Sequence, residues 1–189
     1  RGVDLRDDSV QALQQRFHVD RAQAHRVASV ATAFYEQLAP DATALEVSEL
    51  RWAAELHELG MMVSHHDHHR HSAYLLAHVD AAGFSQSQQR ELANLVLGQR
   101  GGLRKMEAML DHQDMALRLM CLRLAVIKCH ARQPVESRAL TLKRRGIAVQ
   151  LQWPAGWAQG HPRTLHQLRE EADNWSRTSV LALALPETD

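Results

Sequence analysis

The sequence predicts a mostly helical chain that ends in a small α+β module. Three observations predict this. Apolar residues recur at helical spacing, segment after segment, as far as about Gln133. Pro134 closes the last of these segments. The period then changes to two, with Ile147, Val149, Leu151 and Trp153 alternating. The expected organisation is a helical domain over residues 1–133 and a β-β-α-β module over 134–189.

The elements follow in order. Asp7-Asp8-Ser9 is placed to cap a short helix that runs to about Phe17. Asp20 caps the next, whose stripe is Val27, Val30, Ala31, Phe34 and Leu38, with Pro40 ending it. A third helix carries Val47, Leu50, Ala54 and His57 on one stripe, with Gly60 as its C-terminal cap. A polar, His-rich connection is expected from Ser64 to His71, with helix resuming at Ser72. Gly83 marks a turn, Ser85 caps a helix over 86–98, and Gly101-Gly102 breaks the chain again. The segment 114–132 is apolar nearly all round, as a central helix should be. Ala139 to Leu142 reads as a strand, Lys143 to Gly146 as a turn, and 147–153 as a half-buried strand. Leu165, Leu168, Ala172 and Trp175 form one helix face, and Val180 to Leu185 is the last strand.

Composition narrows the function classes. The 189 residues carry 22 Lys and Arg against 22 Asp and Glu, so any polyanion site must come from local clustering. There are 13 His, whose titration near pH 6.5 would turn the protein basic. Cys121 and Cys129 lie eight residues apart on one expected helix, about 12 Å between Cα atoms, too far for a disulfide. Both are expected free and buried, as in a reducing cytoplasm. No apolar run approaches the length of a membrane span. No phosphate-binding Gly-rich loop, nucleophile elbow or C-x-x-C pattern is present.

Three groups of residues could carry chemistry. His25, with His57 and Glu58, resembles the ligand set of the metal-dependent phosphohydrolases named for a His-Asp pair, in which imidazole and carboxylate hold a metal that activates water. Here Glu58 stands where an Asp is usual, and the stretch Leu124-Ala125-Val126 supplies no late carboxylate. The site would be vestigial; the plainer reading is two core histidines with satisfied hydrogen bonds. The second group is the tract Ser64–Ser72, with His65, His66, His68, His69 and His71 around Arg70. It could meet phosphate oxygens, since imidazole and guanidinium are donors, or bind a transition metal in a regulatory role. The plainer reading is a solvated connection. The third group is basic: Arg100, Arg104 and Lys105 beside the Gly-Gly break, and Lys143-Arg144-Arg145. No aromatic residue is interleaved with these, which argues against single-stranded nucleic acid and leaves a linear polyanion such as polyphosphate.

The run from Arg51 to Leu76 (Arg-Trp-Ala-Ala-Glu-Leu-His-Glu-Leu-Gly, then Ser-His and His-Arg-His-Ser-Ala-Tyr-Leu-Leu) resembles the exopolyphosphatase / guanosine pentaphosphate phosphohydrolase family. Gly83-Phe84-Ser85, Glu91 to Val96, Leu122 to Val126 and the terminal module with Trp153-Pro154 and Trp157 are similar to it too. The resemblance implies a helical, His-Asp-related third domain and a small fourth domain, homodimeric and cytoplasmic. It implies that catalytic carboxylates and Mg²⁺ belong to N-terminal domains that nothing in this chain matches, so that the chain is not catalytic alone and binds no cofactor itself. It places His65, His69, Arg70 and His71 beside the active site of the intact enzyme, where polyphosphate or guanosine pentaphosphate would be held. His66 and His68 are extra to the usual pattern. The family usually has His-Arg where this chain has Gln99-Arg100; Arg100 keeps its match.

Overall fold

The computed structural model describes residues 4–136 and 139–187. Among the described residues, eight α-helices precede or flank a three-stranded sheet, so the chain is mostly α with a small β module. Helix α1 (Leu5–Arg16) begins earlier than Asp7-Asp8-Ser9 suggests. Asp4 is its cap, accepting from the Arg6 amide. Asp7 is used elsewhere: its Oδ1 accepts from Trp52 Nε1 at 2.8 Å and from Arg51 at 3.0 Å. Helix α2 (Arg21–Leu38) is capped by Asp20 as its sequence requires, and buries Val27, Val30, Ala31, Phe34 and Leu38. Helix α3 (Ala44–Glu55) opens on a reciprocal capping box between Thr43 and Glu46. It ends at Glu55, about one turn short of the expected end before Gly60.

Gly60 is therefore not a helix cap. It lies in a 3₁₀ turn, Leu59–Met62. Its small size is needed because helix α4 (His68–His78) passes across it: a Cβ there would sit 2.4 Å from the Ser72 amide nitrogen. The Gly60 N–H donates to Ser72 Oγ at 2.7 Å, which locks the crossing. Helix α5 (Gln86–Leu97) has Ser85 as its cap, with Gln88 completing the box. The short α6 (Glu107–Leu110) leads into α7 (Gln113–Lys128).

Helix α7 is the central helix, buried along nearly its whole length. It is not apolar throughout: Arg118 and Arg123 are buried in it and held by carboxylates. Asp114 accepts from Tyr35 Oη at 2.6 Å and pairs with Arg118 at 2.9 Å. Cys121 and Cys129 are buried free thiols.

Strand β1 (Thr141–Arg145) takes in Lys143, Arg144 and Arg145, which the sequence places in the turn. The hairpin turns instead at Gly146-Ile147, where Gly146 adopts φ 62°, and β2 (Ala148–Gln152) returns antiparallel. Ile147 is consequently exposed in the turn, and the buried alternation starts at Val149 and Leu151. Helix α8 (Pro162–Ser176) crosses over to β3 (Ala182–Ala184), which pairs parallel with β2. The buried apolar side chains form one cluster that spans both sides of Gln133-Pro134. The Leu142 N–H donating to Gln37 Oε1 at 2.7 Å ties β1 to α2.

Candidate anion-binding site

Only the first half of the His-rich tract, residues 64–67, is a solvated connection; from His68 it is helix. Asp67 takes a left-handed conformation, φ 53° and ψ 34°, and turns the chain directly into α4. The helix therefore starts four residues before Ser72. Its first two residues, His68 and His69, are buried, each less than a tenth exposed. Their amides are among the first of the helix, which have no intrahelical acceptor. Among the described residues, the buried Nδ1 of each ring has no hydrogen-bond partner.

Arg100 acts on both rings, and Lys105 and Arg70 act on His69. Burial, the His57 ring and Arg100 depress the basicity of His68, and Glu58 opposes them; the result is a pKa of about 4. Burial, then Lys105, Arg100 and Arg70 depress His69 to about 4, against Asp67. Lys105 is itself lowered by burial, Arg123, Arg70 and Arg100. Both imidazoles are thus neutral near pH 7, beside three side chains that carry positive charge. Two acids bear on this end of α4: Glu58, which acts on His68, and Asp67, which lies 3.5 Å from His66 Nε2. This arrangement can hold an anion: a helix N-terminus, two desolvated imidazoles with unused polar atoms, and a guanidinium–ammonium cluster.

The turn carrying Arg100 is fastened on all sides. Gln99 is buried, and its Nε2 donates to the His57 and Val96 carbonyls at 2.8 and 2.9 Å. Position 99 therefore has a structural role in this chain. Lys105 Nζ donates to the Arg100 carbonyl at 3.2 Å.

The remaining expected site residues fall elsewhere. His65 is exposed and lines a cleft of about 290 Å³ with Glu58, Met61, Met62 and Arg132. His71 packs its Cβ over Gly60. Arg104 points to a separate cleft of about 590 Å³ shared with Glu107 and Arg177. His66 stays at the surface.

His25, His57 and Glu58 are not brought together as a metal set. His25 is 79% exposed and sits 3.6 Å from Glu55, not in the core. His57 is buried with Nδ1 on the Ala54 carbonyl, and burial holds its basicity down. Glu58 is forked by Arg132 at 2.8 and 3.0 Å, and Arg132 also reaches Asp20 at 3.0 Å. A guanidinium neutralises the carboxylates here. Among the described residues, no group of three or more His, Cys, Asp and Glu could hold a metal ion.

The profile of "Ppx/GppA phosphatase, domain III" matches residues 5–172. The chain belongs to the Ppx/GppA phosphatase family. It is similar to the guanosine-5'-triphosphate,3'-diphosphate pyrophosphatase of Pseudoalteromonas translucida, 29% identical over 175 residues, or 89% of this chain and 35% of that protein. The protein of the same name from Aeromonas hydrophila is 31% identical over 181 residues, 90% of this chain and 36% of its own length. The chain thus spans about a third of these Ppx/GppA relatives. The matched residues include the anion cluster and reach Ala172 in α8.

Proposed function

We propose that this chain is the substrate-holding region of a Ppx/GppA phosphohydrolase, and that the bonds are broken by groups outside it. The observation that carries the reading is the start of α4, where His68 and His69 are buried with each Nδ1 unpartnered among the described residues, Arg100 acts on both rings, and Lys105 and Arg70 act on His69. A chain of phosphates carries closely spaced negative charge and many acceptor oxygens. Arg70 and Arg100 supply forked donors, Lys105 a point charge, and each neutral imidazole one N–H.

The names of the two relatives favour guanosine pentaphosphate, with polyphosphate as the second substrate of the same chemistry. The intact reaction would be hydrolysis of a terminal phosphoanhydride. A homodimer in the cytoplasm is part of this proposal. In this reading the Mg²⁺ expected of the intact enzyme is held by groups outside this chain. The chain's task is to bind and align phosphates.

The test is equilibrium binding of guanosine pentaphosphate and of long-chain polyphosphate at two salt concentrations, with phosphate release assayed in the same samples with Mg²⁺ or Mn²⁺. The expected result is binding that weakens with salt, at a logarithmic slope of roughly −2 to −3 for about three neutralised phosphates, without phosphate release. Salt-independent binding, or none, would overturn the reading. Metal-dependent release would make the chain an enzyme in its own right.

A further inference from the structure

The Arg123 guanidinium makes four hydrogen bonds, all at 2.7 or 2.8 Å. Two go to Glu171: Nε to Oε2 and Nη2 to Oε1. The other two go to main-chain carbonyls of the neighbouring turn, Nη1 to Gly98 and Nη2 to Gly101. Both side chains are almost fully buried, at 3% and 4% exposed. Glu171 Oε2 also accepts from Trp175 Nε1 at 2.7 Å, which fixes the carboxylate on α8.

Arg100 lies between the two carbonyls that Arg123 holds. Its own carbonyl is held by Lys105. Gly101, at φ 79°, lets the chain reverse there. The turn 98–101 has no regular structure of its own, so its shape depends on these donors. A guanidinium can grip two carbonyls in a fixed geometry only if its fork is oriented from the other side, and Glu171 does that.

We infer that Glu171, acting through Arg123, is a positioning residue for the Arg100–Lys105 edge of the anion cluster. The terminal module thereby shapes the binding site on the helical region. The inference rests on the reading of that cluster as the phosphate site. It makes Glu171, which touches no ligand, a determinant of affinity.

The experiment is a double-mutant cycle on the 189-residue chain, using tripolyphosphate as the probe and Glu171→Gln with Arg100→Ala. Amide hydrogen exchange over residues 99–102 is measured in parallel. In the otherwise unaltered chain, Glu171→Gln is expected to weaken binding about fivefold, the loss of roughly one charge-assisted contact. In the Arg100→Ala background it should cost clearly less, since only Lys105 is then left to be positioned. Exchange in the turn should rise while exchange in α2 stays the same. Additive losses, as a general structural effect would give, or unchanged exchange in the turn, would overturn the inference. If Glu171→Gln fails to fold, Glu171→Asp keeps the charge, draws the carboxylate back by one methylene and enters the same cycle. If the unaltered chain does not bind tripolyphosphate, the reading of the site fails, and the exchange data alone decide whether Glu171 holds the turn.

Discussion

Arg132 and Glu58 form a forked ion pair, with Nη1 to Oε2 at 2.8 Å and Nη2 to Oε1 at 3.0 Å. Arg132 holds this position from a left-handed backbone, φ 55°, just beyond the end of α7. The pair joins the end of the central helix to the turn after α3. Its carboxylate is buried while its guanidinium is half-exposed. Removing the cation therefore leaves a buried charge.

Arg132→Met should destabilise the chain by about 2 kcal/mol, below the range for a fully buried pair because the guanidinium is partly solvated. Adding Glu58→Gln should recover part of the loss by removing the stranded charge. Urea unfolding of the single and double variants checks both expectations.

Gly60→Ala should cost about 1–3 kcal/mol, the usual range for overpacking. The new methyl would meet the Ser72 backbone and the His71 Cβ, neither of which can swing aside. Because α4 must move, tripolyphosphate affinity should fall with stability. Thermal unfolding and titration calorimetry on the same preparation measure the two.

Acid should act on His68 and His69 in a predictable direction. Their pKa values near 4 in the folded chain lie below the unfolded value of about 6.5. The unfolded chain then binds more protons between those limits, so these rings make stability fall as pH drops from about 6.5 toward 4. A bound polyanion favours the protonated rings and should raise both values. Tripolyphosphate affinity should therefore increase as pH falls from about 7 to about 5. Binding accompanied by proton uptake, measured in two buffers of different ionisation enthalpy, would bear this out.

The thiols should be inert in the folded protein. Burial pushes Cys129 up to about 11 and Cys121 further in the same direction. Neither will present much thiolate at pH 8. Labelling by iodoacetamide should be slow in buffer and rapid in denaturant. Fast labelling under native conditions would contradict the packing of α7.

Local signals made much of the helical frame legible. Asp20 and Ser85 cap helices because each is a short polar residue just ahead of an apolar stripe. Gly60 was legible as special, but not why: the need comes from α4 crossing it, a contact between segments. Five imidazoles in seven residues look solvated, but one left-handed residue, Asp67, turns two of them inward. The hairpin turn is hidden for a related reason. Lys143 to Arg145 are polar, yet they form a strand with only Leu142 of β1 buried. Arg123 and Glu171, 48 residues apart, carry no signal of their pairing. The same holds for Tyr35, Asp114 and Arg118. Those networks exist only once α7 is surrounded.

Phosphate held at the start of α4 must perturb the two buried rings there. A long-range ¹H–¹⁵N spectrum of the histidine rings during titration with tripolyphosphate reads this. The ring nitrogens of His68 and His69 should shift together and saturate, with exposed His25 and His66 following only weakly. Saturable binding that leaves both buried rings unmoved would contradict this placement.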